Sequence, residues 1–567
     1  MRNQILVLAA CAVLSVGCNS GGSNPPPPPP VSGTAPPVAT SYYYYSGAPS
    51  ATSAVGGLFS VSSVSPAVPA TVDASALASN YPPVTQTYRN NTVDTGTLDA
   101  ATGTISNYRN YAVVYAANGR LWKQYADQAP APVQISNITA ISNGPGTGLA
   151  GSGSSATDLC YLNIVTDFAN PENSIIIYGL AGANVTCGDL DDTYAWLRLN
   201  TNTSTAPTAL TTFLPVAPVF SSAGAITNFL VINSTGALVK LDANFGGAPT
   251  AITGGAGPFP FTTNDKNILV TYLSPTRALL NLPPAGAPSV AGELRIVDAG
   301  TNSLTGVLGT IGNRTAWSDG IYNKDSSNVY FVGNDAAGVL AGIIQRFPVN
   351  GLAAATTFHD AGAVQINYLY LTTNYVISWI CCSSSSIASV PKAGGAAVSL
   401  AIGGAGELVI PYGVSSSGYV YYDRMVGSYP NISTSDRAQA IKDDGTGLVT
   451  HGASNGAQWS GFNYVTAFNI FREFPYLDHL VVAEYVAAAT NMAGSTLAVV
   501  SSGTAAKNGT VVGTVPAGIQ IIFGSAWGTR SLWEAYDSDE EIFYVDTAVA
   551  GSLTRVTTDS VNQQLIE

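Results

Sequence analysis

One strand–turn–strand pattern is written twice between Trp317 and Leu400, and it constrains the fold more than any other feature of the sequence. In the first copy, Val329-Tyr-Phe-Val332 is followed, after a turn, by Ile343-Ile-Gln-Arg-Phe-Pro-Val-Asn-Gly351. In the second copy, Tyr375-Val-Ile-Ser-Trp-Ile380 is followed, after a serine-rich turn, by Ile387 to Gly395. Short runs rich in β-branched and aromatic residues between Gly, Asn and Ser predict paired strands.

Similar hairpins can be read outward from this pair in both directions, about ten in all and unevenly spaced. Repetition of a strand-only unit is typical of a β-propeller. Some hairpins must belong to insertions, or to a blade completed jointly by the two chain ends. The sequence therefore predicts an all-β fold over residues 41–567, a single β-propeller of about eight four-stranded blades within a range of seven to ten. Helical turns are expected only at Asp436–Asp443 and Glu484–Met492.

Three of these segments resemble known blade motifs. Val329-Tyr-Phe-Val332, Arg346-Phe-Pro-Val-Asn-Gly351 and Ser389-Val-Pro-Lys-Ala-Gly-Gly395 look like the blades of TolB-like and related bacterial propellers with six to eight blades. The resemblance covers most of the body as a pattern. It implies a fold and no activity, because these motifs build strands and turns rather than a site.

The N-terminus predicts export and lipidation. Met1-Arg2 and the apolar run Ile5 to Val16 read as a signal peptide over residues 1–17, too short to span a bilayer. The run ends in Leu14-Ser-Val-Gly-Cys18, which resembles the lipobox of a bacterial lipoprotein and implies lipidation of Cys18. Cys11 has a better-matched motif but almost no apolar core before it. The alternative is an ordinary secreted protein cleaved near Gly17.

A tether is predicted between this anchor and the body. Residues 18–40 are rich in Gly, Ser and Pro, with an unbroken proline run at Pro25–Pro30. Such a segment cannot bury enough apolar surface to fold, and its prolines favour an extended helix of about 3 Å per residue. In Gram-negative lipoproteins an Asp after the lipidated Cys favours the inner membrane. Asn19 stands there, so the resemblance implies the outer membrane.

Charge and composition exclude one class of partner. The formal net charge is −13, only 10% of residues are charged, and no basic stripe is present. Nucleic acid is therefore an unsuitable partner. The anchor, the spacer and the lack of a convincing catalytic set favour a binding or scaffolding module for a protein or glycan over an enzyme. The alternative is a calcium-dependent, lactonase-like or other hydrolase with its site in the propeller channel.

Four cysteines remain for disulfides in an exported protein: Cys160, Cys187, Cys381 and Cys382. Of three formal pairings, Cys160 with Cys187 is favoured and would contribute roughly 3 kcal/mol by restricting the unfolded chain. Cys381 and Cys382 are then a strained vicinal disulfide or two free thiols. A vicinal pair is similar to that beside the cofactor of quinoprotein alcohol dehydrogenases. That family's tryptophan-docking repeat is not evident among the seven Trp, which favours a structural turn over a quinone site.

A calcium site is the only metal site that the sequence offers. Asn184, Asp189, Asp191 and Asp192 place three carboxylates and an amide within nine residues, the oxygen ligands that calcium prefers. The spacing is not that of an EF-hand, and solvated turn carboxylates are the alternative. No other cofactor is predicted, and three His without a Cys/His cluster give no zinc site.

Gly452-Ala-Ser-Asn-Gly456 matches the G-x-S-x-G pattern of a serine nucleophile. The match is meaningful only where a strand leads into Ser454 and a helix leaves it. Its bases would be His451, His359 or His479. Because Ala457-Gln-Trp-Ser-Gly461 is a poor helix, a catalytic role for Ser454 is not favoured.

Overall fold

The computed structural model describes most of the chain between residues 42 and 565. The described residues are 42–48, 57–62, 65–76, 92–99, 104–128, 130–135, 159–180, 193–201, 208–210, 213–254, 257–259, 268–284, 291–312, 321–334, 340–380, 385–415, 417–426, 436–451, 457–464, 477–484, 496–501, 510–514, 520–527, 530–536, 540–546, 548–557 and 562–565. The predicted signal peptide, Cys18 and the tether lie outside them, so the boundaries at residues 17 and 40 stay predictions.

Contacts divide the chain into two compact units. The N-terminal unit comprises residues 30–307, 538–542 and 555–567, and the C-terminal unit comprises residues 308–537 and 543–554 together with residues 1–29. Helix is confined, in the described ranges, to one three-residue 3₁₀ turn at Pro171–Asn173. All other regular structure described here is β-strand.

Five sheets, each built on a meander of four strands, belong to the N-terminal unit; a fifth strand, β20 (Gly309–Ile311), pairs with β18 (Gly292–Asp298), the third strand of the last of them. They are, in spatial order, sheet 1 with β41 (Asn562–Leu565), β1 (Tyr42–Ala48), β2 (Leu58–Ser62) and β3 (Ser65–Asp73); sheet 2 with β4 (Thr92–Asp99), β5 (Thr104–Ala117), β6 (Arg120–Tyr125) and β7 (Val133–Gln134); sheet 3 with β8 (Leu159–Val165), β9 (Ile175–Leu180), β10 (Thr193–Arg198) and β11 (Thr208–Ala209); sheet 4 with β12 (Phe213–Phe220), β13 (Ile226–Asn233), β14 (Leu238–Asp242) and β15 (Thr250–Ala251); and sheet 5 with β16 (Leu269–Ser274), β17 (Arg277–Leu282), β18 (Gly292–Asp298) and β19 (Ser303–Leu304).

The other sheets repeat this order, after a short strand β20 (Gly309–Ile311). They are sheet 6 with β21 (Tyr322–Lys324), β22 (Asn328–Asn334), β23 (Leu340–Pro348) and β24 (Thr356–Asp360); sheet 7 with β25 (Ile366–Leu371), β26 (Tyr375–Ile380), β27 (Ser386–Pro391) and β28 (Val398–Ile402); sheet 8 with β29 (Glu407–Val414), β30 (Tyr419–Val426), β31 (Arg437–Lys442) and β32 (Val449–His451); sheet 9 with β33 (Ala457–Tyr464), β34 (Leu477–Glu484), β35 (Thr496–Ser501) and β36 (Thr510–Thr514); and sheet 10 with β37 (Gln520–Trp527), β38 (Arg530–Tyr536), β39 (Glu540–Asp546) and β40 (Thr554–Arg555).

Each sheet is an antiparallel meander whose strands follow the chain, which is the blade topology of a β-propeller. The prediction of an all-β propeller is confirmed. The described strands form ten such sheets, at the upper end of the predicted seven to ten blades. Sheet 1 is completed by both ends of the chain, because β41 pairs with β1 and takes the place of a first strand. One predicted helical turn is wrong: Arg437–Lys442 is strand β31, paired with β30.

The second strand of sheet 6 is buried on both of its faces. In β22, Val329, Tyr330, Phe331 and Val332 are all at most 1% exposed, although successive side chains of a strand point to opposite faces. A strand buried on both faces must lie in a sheet that is covered on both sides. The apolar run Val329–Val332 is explained by this burial.

The first strand of most sheets is bent by a β-bulge. In eight of the ten sheets, at least one residue of that strand is left out of the pairing with the second strand. Bulges increase local twist and re-aim a side chain. The residues left out are Gly96, Cys160, Val216, Val270, Leu273, Asn367, Tyr412, Ser460 and Ile522, two of them in β16.

In each meander the strand ends lie on two opposite sides of the sheet, and these two rows of strand ends are called edges below. Connections from first to second strand and from third to fourth strand leave at one edge, here called the turn edge. The connection from second to third strand leaves at the opposite edge, here called the loop edge. At the turn edge, carboxylates close short turns: Asp325 Oδ1 accepts the backbone N–H groups of Ser327 and Asn328, both at 2.8 Å. Asp is suited to this role, because its carboxylate accepts hydrogen bonds from backbone N–H groups two and three residues further on.

Candidate functional site on the turn edge

A hydrogen bond from the third strand of one sheet to the turn edge of the next recurs along both units. The donor lies two residues before the third strand ends, and the acceptor is the first backbone carbonyl after the next sheet's third strand. The four bonds are Lys123 Nζ to Leu199 O (3.0 Å), Lys240 Nζ to Ala299 O (2.7 Å), Arg346 Nη1 to Lys392 O (3.2 Å) and Ser389 Oγ to Asp443 O (2.6 Å). We call these the inter-sheet bonds.

At sheets 2 and 3 this bond is part of a larger polar cluster. The 3₁₀ turn before β9 presents Glu172 to three donors of sheet 2. Its Oε1 accepts the hydroxyls of Tyr111 at 2.6 Å and Tyr125 at 2.8 Å, and its Oε2 lies 3.2 Å from Lys123 Nζ. The two phenol rings meet edge to face with centroids 5.5 Å apart, and the Lys123 ammonium lies 4.9 Å from the Tyr125 ring centroid. One carboxylate therefore fixes two half-buried aromatic rings.

The ionisation of this cluster follows from its contacts. Burial would raise the pKa of Glu172, but the Tyr111 and Tyr125 hydroxyls and the Lys123 charge lower that pKa overall. Burial, followed by the hydrogen bond to Glu172, raises the pKa of each tyrosine well above its ordinary value. At neutral pH the cluster is thus an ionised carboxylate held by two neutral phenols and one ammonium group.

Between sheets 3 and 4, aromatic stacking replaces the lysine bond. Trp196 occupies the donor position of β10, and its ring lies 5.2 Å from that of Phe245, which also stacks on Phe229 at 4.4 Å. Arg198 donates to Asn173 O (2.8 Å), Asn244 Oδ1 (2.8 Å) and Ala243 O (3.3 Å).

Phe245 is held in a costly backbone conformation. Its φ is +54°, in the left-handed region that bulky side chains rarely adopt. Asp242 holds this turn, because its backbone oxygen accepts from Phe245 N at 2.9 Å and its carboxylate accepts from Asn244 N at 2.7 Å. The contacts of the half-buried phenyl ring with Trp196 and Phe229, together with these hydrogen bonds, offset the strain of this conformation.

The two clusters are joined. Asn200 N donates to Glu172 O (3.0 Å), and Asn200 Nδ2 donates to Asn173 Oδ1 (3.3 Å). Since Asn173 also binds Arg198, hydrogen bonds run without a break from Tyr111 in sheet 2 to Asn244 in sheet 4. We call this the turn-edge surface; it consists of Tyr111, Tyr125, Glu172, Asn173, Arg198, Asn200, Asn244 and Phe245. All of them belong to the N-terminal unit.

The predicted cysteine and calcium residues belong to a different part of the fold. Cys160 lies in β8, where it is the residue that the bulge leaves out, next to the pairing of Leu159 with Leu180. Cys187 and the predicted calcium ligands Asn184, Asp189, Asp191 and Asp192 lie outside the described residues, in the connection between β9 and β10. The bond between Cys160 and Cys187 and the calcium site stay predictions.

Cys381 and Cys382 also lie outside the described residues, in the connection between β26 and β27. The residues that flank this connection are firmly placed. Trp379 Nε1 donates to Val409 O at 2.8 Å, and the Ser385 hydroxyl donates to the same oxygen at 2.5 Å. Val409 belongs to β29 of the next sheet. The described residues on both sides of the predicted vicinal pair are thus fastened to the neighbouring sheet.

The context required for a serine nucleophile is not met. Ser454 lies outside the described residues, but strand β32 leads towards it and strand β33, rather than a helix, follows it. Of its three proposed bases, His451 is 1% exposed within β32, His359 lies in β24, and His479 lies in β34. A nucleophile elbow needs a strand followed by a helix. The elements on either side of the motif therefore do not form a nucleophile elbow.

Within the described ranges, no three His, Cys, Asp or Glu side chains are grouped as a metal ion would require. None of the described helical structure is long and apolar enough to cross a bilayer.

No protein-family model matches this chain, and no curated protein matches it. Solved structures do match. The putative TolB from Agrobacterium tumefaciens is 14% identical over 42% of this chain and 80% of its own, with a TM-score of 0.23. A eukaryotic initiation factor is 9% identical over 93% and 98%, with a TM-score of 0.38. An oligogalacturonate lyase from Vibrio parahaemolyticus is 11% identical over 59% and 95%, with a TM-score of 0.26. With scores this low, the assignment of the fold depends on the sheet topology described above.

The turn-edge surface was not anticipated from the sequence. Its members are far apart in the chain: Tyr111 and Glu172 are 61 residues apart, and Arg198 and Asn244 are 46 apart. One local signal exists, because a Lys, Arg or Ser stands two residues before the end of several third strands. Arg346-Phe-Pro and Ser389-Val-Pro show it within the repeated blade motif.

Proposed function

We propose that this chain is a lipoprotein of the Gram-negative outer membrane whose propeller body binds a protein or glycan of the cell envelope. The observation that carries the proposal is the order of segments at the N-terminus. An apolar run ends at Cys18, a proline-rich stretch follows, and the strands of the body begin at Tyr42. An export signal, an acylation site and a spacer in this order serve to hold a folded body near a membrane.

The position of β1 supports a tethered arrangement. β1 is the second strand of sheet 1, and a second strand starts at the turn edge. β1 therefore begins at the turn edge of that sheet, where the proposed spacer would join the body. At about 3 Å per residue, the proline-rich stretch gives the body a reach of some tens of ångströms from the lipid.

Fractionation of a cysteine variant tests the anchor. Bacterial lipoproteins carry several acyl chains, and several chains give stable membrane binding where one chain binds only marginally. We expect Cys18→Ser to release the body into the soluble fraction after a high-salt wash. Cys11→Ser is the matched control, because it changes the competing motif and should leave the protein on the membrane. A Cys18→Ser protein that still sediments with membranes would disprove the anchor.

Mild cross-linking of intact cells, followed by purification from outer membranes, tests the binding role. A defined protein or glycan partner should be recovered with the wild-type chain. Recovery of the chain as a lone monomer under several growth conditions would contradict a binding or scaffolding role and leave the anchor unaffected.

A further inference from the structure

We propose that the turn-edge surface of sheets 2 to 4 is a binding site for polysaccharides of uncharged sugars, because it sets fixed aromatic rings beside exposed amide groups. The inference rests on the proposed function in one respect, since it names the ligand class of a binding module. It takes N-acetylated sugars and simple hexoses as one class, because both present apolar C–H faces together with hydroxyl or amide groups.

The aromatic rings provide the apolar part of the site. Tyr111 and Tyr125 are half-buried, and both hydroxyls are tied to Glu172, so the rings hold their orientation before any ligand arrives. Fixing side chains in advance reduces the entropy lost on binding. Phe245 provides a further ring in sheet 4, kept in place by its stacking on Phe229. A sugar chain lying along this edge would meet an aromatic ring at both ends of the surface.

The amides between these rings provide the polar part. Asn200 and Asn244 are exposed, and each is oriented by one hydrogen bond, to Asn173 and from Arg198 respectively. An Asn side chain has two donors and an acceptor with two lone pairs. In the described structure, Asn200 still has its side-chain oxygen for a ligand, and Asn244 has its NH₂ group. Oriented planar amides of this kind can pair with neighbouring sugar hydroxyls or an acetamido group.

The charges of the surface select against acidic sugars. Glu172 is ionised at neutral pH, and Asp127 is exposed in the turn after β6, close enough to Tyr111 and Tyr125 to act on them electrostatically. The two cations have other contacts: Lys123 is nearly buried and donates to Leu199 O, and Arg198 has three acceptors within the protein. A uronate or phosphate group would meet carboxylates without a dedicated cation. Uncharged sugars are therefore the better match.

Affinity electrophoresis of the detergent-solubilised full-length protein tests the inference. The gels would contain dextran, glycol chitin, or polygalacturonate as the acidic comparison. We expect retardation by at least one uncharged polymer and at least about tenfold weaker retardation by polygalacturonate. Purified peptidoglycan and lipopolysaccharide, added as soluble competitors, would distinguish two envelope sources of the same sugar chemistry.

Two variants locate the site. Tyr125→Ala removes a ring and should weaken binding about tenfold, the size expected for one aromatic contact. Tyr125→Ala also removes the hydroxyl contact with Glu172 and so changes the structure around it. The double variant Asn200→Ala with Asn244→Ala is the safer test, since both side chains are exposed. It should weaken binding at least fivefold. Asn374→Ala, an exposed amide on the turn edge of sheet 7, is the matched control.

The outcomes separate clearly. Binding lost in the double variant and kept in the control supports the site. No retardation of the wild-type chain by any uncharged polymer, equal retardation by polygalacturonate, or undiminished binding in the double variant would overturn it. These measurements use purified protein, so they are independent of whether Cys18 anchors the chain.

Discussion

The cluster around Glu172 gives a prediction whose size and pH dependence both follow from the structure. Glu172→Gln keeps an oxygen that can accept a tyrosine hydroxyl, but it removes the charge opposite Lys123. That ammonium group is then left with Leu199 O as its described acceptor, at 8% side-chain exposure. A hydrogen bond to a charged group contributes about 1.5–3 kcal/mol when buried. Because the Glu172 side chain is 28% exposed, we expect a loss of about 1–2 kcal/mol.

The pH dependence has a definite sign. The pKa of Glu172 is lowered in the folded protein, so its stabilisation is present above the unfolded pKa of about 4.3 and is lost as pH falls through the folded value. The difference between wild type and Glu172→Gln should therefore be largest near pH 7 and disappear in acid. Tyr111 and Tyr125 act at the other end, because raised pKa values give stability that is lost as pH rises above about 10.

Hydrogen-exchange mass spectrometry across a urea series measures this difference locally, on peptides that cover β5 and β6. Glu407→Gln is the matched control, because Glu407 contacts Arg424 at 2.7 Å with 29% side-chain exposure in the C-terminal unit. It should leave the β5 and β6 peptides unchanged. A Glu172→Gln effect below about 0.5 kcal/mol, or one that is the same at pH 3.5 and pH 7, would refute the reasoning.

Four further predictions follow from described contacts. Ser389→Ala should destabilise the C-terminal unit by about 1 kcal/mol in urea unfolding, because it removes a buried hydroxyl bond to Asp443 O; an unchanged midpoint would contradict this. Gly236→Ala should lower the free energy of unfolding by more than about 2 kcal/mol, since φ at Gly236 is +76° and a Cβ would lie 2.5 Å from Phe259 O. Gly362→Ala should lower it by about 1 kcal/mol, because φ is +83° but no atom of the described residues beyond its chain neighbours lies within 4 Å of the added Cβ. Equal losses for the two variants would show that the contact with Phe259 is relieved. Burial raises the pKa of Asp443, so the charged form destabilises the folded protein at pH 7. Asp443→Asn should therefore leave the stability at pH 7 unchanged or raise it by less than about 1 kcal/mol, and below about pH 4 the variant and the wild type should be equally stable. Destabilisation by this substitution at pH 7 would contradict the prediction. Graded reduction with alkylation and mass spectrometry should open the predicted Cys381–Cys382 bridge before the Cys160–Cys187 bond, and a crossed pairing would contradict both assignments.

The strands were predictable because their signal is local. Tyr375–Ile380 was read as a strand and is β26, and Val329–Val332 lies within β22. Each run carries apolar side chains on both faces, as burial between two sheets demands. The predicted helical turn at Asp436–Asp443 was wrong because the local signal is outweighed there. Arg, Ala, Gln and Lys favour a helix intrinsically, but pairing with β30 and burial of Ala438 and Ala440 stabilise a strand instead.

The turn-edge surface could not be predicted in the same way. Glu172 reads as an ordinary acidic residue in a loop after a proline, and only the stacking of sheet 3 on sheet 2 brings it to Tyr111 and Tyr125. Its position depends on which sheets are neighbours and on their offset, and neither property is written in any window of sequence. The calcium hypothesis has the opposite basis, since it depends entirely on the local acidic run around Asp191, and it stays a prediction.

The inter-sheet bonds explain why binding chemistry can concentrate on one stretch of the turn edge. In all of them the acceptor is a backbone carbonyl, so the side chain at the acceptor position is unconstrained by the bond: Leu199, Ala299, Lys392 and Asp443 serve equally. The donor also varies among Lys, Arg and Ser, because each needs only one N–H or O–H group at the right place. Sheets can therefore stay joined while the turn residues between them differ. On the turn edge of sheets 2 to 4 these variable positions carry aromatic rings and amides. On the turn edge of sheets 6 and 7 they carry the ion pair of Asp325 with Lys392.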